Sequence, residues 1–184
     1  MRIVSGAAKG RRLAVPARGT RPTSDRAREA LFNSLAGLIE LDGAHVLDLF
    51  AGSGAIGLEA LSRGAAAVCF VESDRSACEV LRRNIETVGL DGAELHRRPA
   101  AVYLVGAGVD VPFDLVFADP PYAFTEEHLA ALLTSLAGGS WLADGAVVVL
   151  ERAARGPEPR WPPELEAVKH KRYGEGMLWY GRRR

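Results

Sequence analysis

From Ala44 to Leu150 short apolar runs alternate with segments of helical periodicity, an order that few folds accept. His45 to Phe50, Val68 to Val71, Ala93 to His96, Phe113 to Ala118 and Ala146 to Leu150 read as strands. Between them lie a helix running to Arg63, a helix with Ala77, Leu81, Ile85 and Val88 on one face, and a helix marked by Leu129, Leu132, Leu133 and Leu136. Strands joined through helices cross over and pair in parallel, so the expected fold is α/β, with helices on both faces of a mostly parallel sheet. Ala146 to Leu150 is apolar at every position, as a strand covered on both faces must be. Arg155 to Pro163 carries four prolines and reads as loop. Beyond it, Leu165 to Tyr173 and Met177 to Tyr180, joined through Gly174-Glu175-Gly176, read as a C-terminal antiparallel hairpin at the sheet edge.

The N-terminal segment has a different character. Residues 1–22 alternate Ile3-Val4 and Leu13-Ala14-Val15 with Gly6, Gly10, Pro16, Gly19 and Pro22, which reads as a small β-hairpin extension and a loop appended to the core. Ser24 or Asp25 then caps a helix expected over residues 25–39. At 184 residues one domain is expected, with 1–22 as the arm and 23–184 as the body. Lys plus Arg equals Asp plus Glu, 23 against 23, so no overall basic field draws nucleic acid; yet Met1 to Ser24 holds only basic charge. Lys169, Lys171, Arg172 and Arg182 to Arg184 form a weaker second patch. Cys69 and Cys78 fall in an apparent strand and helix without zinc-site spacing, so no metal is expected and a reducing, cytoplasmic setting fits. No apolar run reaches membrane-spanning length.

Asp48-Leu-Phe50-Ala-Gly52-Ser-Gly54-Ala-Ile-Gly57 lies between a strand and a helix, where glycines let the backbone turn sharply and approach a ligand. Glu72 closes the next strand, where a carboxylate can hold both hydroxyls of a ribose. Alone, these features suit a dinucleotide dehydrogenase equally well. Asp48, placed before the first glycine, gives D-x-F-x-G-x-G, which resembles motif I of class I methyltransferases, with the acid near the amino-acid end of S-adenosylmethionine.

Asp119-Pro120-Pro121-Tyr122 directly follows the apolar strand Phe113 to Ala118, at a carboxyl strand end where open α/β sheets place ligands. An exocyclic amine of guanine, adenine or cytosine is a poor nucleophile because its lone pair is delocalised into the ring. Asp119 and a backbone carbonyl near Pro120 can accept its two N–H hydrogens and favour a pyramidal nitrogen. The prolines keep this acceptor-rich segment rigid. Tyr122 offers a flat face on which a base stacks, worth roughly 1 to 3 kcal/mol. The plain alternative is that Asp119 caps a turn and Tyr122 is half-buried packing.

Taken with Arg2-Ile-Val-Ser-Gly, Gly10-Arg-Arg-Leu, Arg21-Pro-Thr-Ser-Asp-Arg-Ala-Arg-Glu-Ala-Leu-Phe-Asn33 and Val71-Glu72-Ser-Asp74, these motifs resemble the RsmD family of bacterial small-subunit ribosomal RNA guanine-N2 methyltransferases. The resemblance covers most of the chain. It implies the class I S-adenosylmethionine methyltransferase (Rossmann-like) fold with a seven-stranded sheet, methylation of one guanine in 16S rRNA on a small-subunit assembly particle, and a monomer. It places Asp119, Pro120 and Tyr122 at the reaction and Asp48, Phe50, Gly52, Gly54, Glu72 and Thr23 at the cofactor. The basic arm then supplies Arg2, Lys9, Arg11, Arg12 and Arg21, with Arg26, to the RNA, and Arg28 lies near cofactor or target or in a surface salt bridge. One departure is Pro99, standing where relatives carry Asp or Asn toward adenine, so backbone groups from Arg98 to Ala100 must serve. An adenine-N6 methyltransferase and a non-catalytic RNA-binding assembly module remain as alternatives.

Overall fold

The structure, a computed structural model, describes residues 1–16, 24–106 and 108–184. The elements run α1 (Asp25–Leu35), β1 (His45–Leu49), α2 (Ala55–Ser62), β2 (Ala67–Glu72), α3 (Arg75–Val88), β3 (Ala93–Arg97), α4 (Ala100–Tyr103), β4 (Gly108–Ala118), α5 (Glu126–Gly138), β5 (Ser140–Ala153), β6 (Leu165–Tyr173) and β7 (Gly176–Arg183). They build one seven-stranded sheet in the order β3-β2-β1-β4-β5-β7-β6. β7 alone runs antiparallel to its neighbours β5 and β6, and the other pairs are parallel. The α/β expectation and the terminal hairpin are both met. The hairpin folds back so that its second strand, β7, pairs with β5 and its first, β6, forms the sheet edge.

Strand alternation sends side chains to two cores. Val46, Phe70, Leu115, Phe117, Val147 and Val149 meet α1, α2 and α3 on one face, while Leu47, Leu49, Val71, Val116, Val148 and Leu150 meet α4 and α5 on the other. Each such fully buried side chain contributes about 1.5 to 3 kcal/mol of transfer free energy. Caps fix where the helices start. Ser24 accepts from the Ala27 amide, Asp74 from Ala77 and Thr125 from His128.

Four boundaries differ from the sequence expectation. α1 stops at Leu35 and not at residue 39, because Gly37 interrupts it; Leu38 and Ile39 still pack on the core. β4 and β5 extend far beyond their apolar centres, carried across register shifts between Gly108 and Leu115. The one-turn helix α4 is too short to leave a periodic signal. Among its described residues the N-terminal segment makes a single antiparallel bridge, Arg2 to Arg12.

That segment is no loose appendage. Ile3, Ala8 and Leu13 are buried in the α1–α3 core. Its backbone docks on the two polar residues of the otherwise apolar α2. Val4 and Ser5 amides donate to the Glu59 carboxylate at 2.8 and 3.0 Å, and the Ala8 amide to Ser62 Oγ at 2.9 Å. At Gly6, φ is +84° and a Cβ would stand 1.6 Å from the Ser62 carbonyl oxygen, so only glycine lets the arm come this close.

Candidate active site

The strand order reverses between β1 and β4, and open α/β sheets bind ligands at the carboxyl ends of the strands flanking such a switch. Leu49 pairs with Ala118 there, so the glycine loop after β1 and the D-P-P-Y segment after β4 leave the sheet side by side.

In the glycine loop, Phe50 takes φ +60°, a costly left-handed conformation for a bulky residue, and its ring meets Phe124 edge-on at 5.2 Å between centroids. Gly52 at φ +55° turns its amide to Glu72 Oε2 at 2.8 Å, while the Asp74 amide holds Glu72 Oε1 at 2.8 Å. A carboxylate has about four acceptor positions, so Glu72 keeps two for a pair of ribose hydroxyls. Gly54, at φ +77°, serves packing: a Cβ would stand 2.1 Å from Leu81 Cδ1.

Asp48 is buried, and its Oδ2 accepts the Gly57 amide at 3.0 Å. It therefore caps α2, whose N-cap residue Gly54 has no side chain to do so. Burial raises its carboxyl well above the usual range, and the neighbouring Glu72 and Asp119 raise it further. Asp48, Glu72 and Asp119 together make an acidic floor, which suits a cationic ligand. The fit with S-adenosylmethionine is good on both counts, a ribose acceptor and a floor for the positive amino-acid end. Pro99 leads into α4.

Asp119 stands exposed at the end of β4. Protein mass beneath it desolvates the carboxyl and, with Glu151 adding repulsion against a smaller pull from Arg152, moves it up to about 7. Pro120 is buried and Tyr122 is 83% exposed. The plain alternative fails on both residues. The turn is closed by the Phe124 amide on Pro121 O at 2.8 Å, α5 is capped by Thr125, and Asp119 accepts no hydrogen bond from any described residue. Arg152 anchors the far end of the segment through Phe124 O at 3.1 Å and Glu126 at 2.6 Å.

Sequence reasoning missed Asn84. Buried in α3, it exchanges hydrogen bonds with the Ala14 amide and carbonyl at 2.8 and 2.9 Å and also donates to Ser53 O at 2.8 Å. One side chain thus ties the N-terminal arm to the glycine loop. A lone polar residue on the apolar face of α3 was the available signal.

Several basic residues carry structural contacts. Arg28 is fully buried, paired with Asp25 at 2.9 Å and Glu59 at 3.7 Å, and donates to Arg2 O. Arg28 thus makes the helix salt bridge that was the alternative reading, but on a buried and not a solvated face. Arg11 donates to Val88 O and to Thr87 O at 3.3 Å, closing the carboxyl end of α3. Arg2 pairs with Asp25 at 3.5 Å. Lys9, Arg12 and Arg26 are exposed. Thr23 and Arg21 lie outside the described residues.

The family model described as Conserved hypothetical protein 95 matches residues 1–182. Ribosomal RNA small subunit methyltransferase D of Escherichia coli K12 is 39% identical over 176 residues, covering 95% of this chain and 86% of its own length. The solved structure of Escherichia coli yhhF superposes with a TM-score of 0.87 at 37% identity, over 100% of this chain and 97% of that one. At 23% identity, TrmN from Thermus thermophilus shares the fold alone, with a TM-score of 0.65 over 86% of this chain and 48% of that one. A class I methyltransferase fold, a site suited to S-adenosylmethionine and relatives matched along nearly the whole chain lead to one assignment: this chain belongs to the RsmD family.

Proposed function

We propose that the protein is an S-adenosylmethionine-dependent methyltransferase that modifies the exocyclic 2-amino group of one guanine in 16S rRNA, acting in the cytoplasm on a small-subunit assembly particle. The observation that carries this reading is Asp119, an exposed carboxylate at the switch point that no described residue hydrogen-bonds, beside the open ring of Tyr122. Relatives named as small-subunit ribosomal RNA methyltransferases support the substrate class.

When bound, S-adenosylmethionine supplies an electrophilic methyl group. Glu72 and Gly52 hold the donor's ribose side and the Asp48 region its amino-acid end. Asp119 and a carbonyl near Pro120 accept the two amine hydrogens, so the nitrogen lone pair is directed at the methyl instead of into the ring. Positioning of this kind supplies most of the acceleration. Tyr122 stacks on the base, which must leave its helix stack to reach the strand ends at a cost of a few kcal/mol. After transfer Asp119, poised near 7, takes the surplus proton. Lys9, Arg12 and Arg26, joined by Arg21, meet phosphates beside the pocket. Among the described residues no helix is long and apolar enough to cross a membrane.

The test is incubation of labelled S-adenosylmethionine with small subunits, and with deproteinised rRNA, from cells lacking the enzyme. N2-methylguanosine is the expected product, and N6-methyladenosine would overturn the assignment.

Two further outcomes follow from the site. Because the acceptor form of Asp119 is the deprotonated one, kcat/KM should rise with pH up to about 7 and level off above it. Asp119→Asn should abolish that limb of the profile. Glu72→Ala removes a charged partner of the ribose and frees the Gly52 and Asp74 amides. Its Kd for S-adenosylmethionine, read by calorimetry, should weaken by roughly 10- to 100-fold.

A further inference from the structure

Glu151 is a carboxylate that neither the motifs nor the mechanism above uses. Leu150 of β5 pairs in register with Ala118 of β4, so Glu151 and Asp119 are the next residues on adjacent parallel strands, roughly 4.8 Å apart, with side chains on the same face. That face belongs to α1, and Glu151 borders a recess walled by Ala27, Leu31, Tyr173, Gly176 and Leu178. Among the described residues nothing donates a hydrogen bond to its carboxylate, although the residue is half-buried and burial pushes its carboxyl up. The next residue, Arg152, is spent on Phe124 O and Glu126. No donor within the described fold therefore engages this carboxylate, whose oxygens stay open to a donor from a bound ligand.

The bases differ in what flanks the reactive amine. In adenine and cytosine the ring nitrogen beside the exocyclic amine carries a lone pair. In guanine the 2-amino group lies between N1, which carries a hydrogen, and N3, which carries a lone pair. A second acceptor on the N1 side of the amine site therefore repels the first two and binds the third. We propose that Glu151 is the specificity-determining residue, its carboxylate accepting guanine N1–H while Asp119 and the carbonyl near Pro120 hold the adjacent 2-amino group. The inference rests on the guanine reading above and adds to it the residue that enforces the choice.

The guanine methylated by the wild-type protein is first mapped in small-subunit rRNA, then replaced by 2-aminopurine in a ligated rRNA. 2-Aminopurine keeps the 2-amino group but has a lone pair at N1. Wild type should prefer guanine by about tenfold to a hundredfold in kcat/KM. Glu151→Gln, whose amide donates to that lone pair, should bring the ratio close to one or invert it, with Kd for S-adenosylmethionine unchanged. Glu151→Ala should lose activity on guanine without gaining any on 2-aminopurine, and it serves should the Gln variant fold poorly. Each ratio is taken within one protein, so lost stability cancels. N2-methylguanosine formation with a wild-type ratio near one, or with the same ratio in wild type and Glu151→Gln, overturns the role of Glu151 and leaves the proposed function standing. Failure of wild type to form N2-methylguanosine overturns both.

Discussion

Asp119→Ala is expected to slow methyl transfer by roughly 100-fold or more, the loss typical of one preorganised polar group at a reacting centre. Binding of S-adenosylmethionine should hold nearly constant, because in the proposed mechanism the carboxylate would face the amine while Glu72 and Gly52 would hold the cofactor. Stability should move the other way. The Asp119 carboxyl sits near 7 in the folded chain, against an ordinary value of 3.8, so the folded state binds this proton more tightly than the unfolded chain does. The group's favourable contribution is therefore complete below pH 3.8 and lost as pH rises through 7. Removing the carboxyl should leave Tm at pH 8 equal to or slightly above that of wild type, the gain kept small by the residue's exposure. Single-turnover rates, calorimetry with the cofactor and melting curves at pH 5 and pH 8 measure all three. Undiminished turnover would remove Asp119 from the chemistry, whereas a lower Tm at pH 8 would mean that it has a structural partner.

This opposition between stability and activity marks which features of the site were readable in the chain. Asp119 was visible because three conditions coincide along the sequence: an apolar strand, its abrupt end, and a rigid proline pair. Glu72 was visible for a similar reason, at the end of β2 one crossover away. Local signals suffice when the fold itself, by parallel crossover, brings strand ends together. Asp48 shows the limit. Its place just before the glycine loop was legible, but its bond to the Gly57 amide was not, since that reflects how the loop enters α2 behind an N-cap residue, Gly54, with no side chain. Residues that join distant segments were not legible. Asn84 bridges 70 residues to Ala14 and 31 to Ser53, and Arg28 looks like a solvated helix charge until Glu59 is seen beside it. The arm was misjudged as an appendage for the same cause, since Ile3, Ala8 and Leu13 show no periodicity and acquire a core only by lying on α2.

Glu59→Ala should be the most destabilising substitution of a charged residue among these. Its buried carboxylate accepts the Val4 and Ser5 amides, pairs with Arg63 at 2.9 Å and lies 3.7 Å from buried Arg28. Truncation leaves the Val4 and Ser5 amides in the interior without their acceptor and takes from buried Arg28 one of its two carboxylate partners. Breaking a buried pair from one side costs about 3 to 5 kcal/mol. For a chain of this size that corresponds to a fall in Tm of roughly 10 °C. The exposed pair Arg75–Glu79, at 3.1 Å with side chains 81% and 49% exposed, supplies the contrast. Arg75→Ala should cost about 0.5 kcal/mol or less. Urea unfolding of the two variants separates burial from mere ion pairing. Because Glu59 holds the arm and Asn84 ties the arm's far end to the glycine loop, the damage should spread. Trypsin should cut after Lys9 or Arg12 faster in Glu59→Ala, and the affinity for S-adenosylmethionine should weaken although Glu59 lies outside the proposed cofactor site. If Glu59→Ala melts and digests like Arg75→Ala, the arm is held by its apolar residues alone, and the link from α2 through the arm to the cofactor loop does not exist.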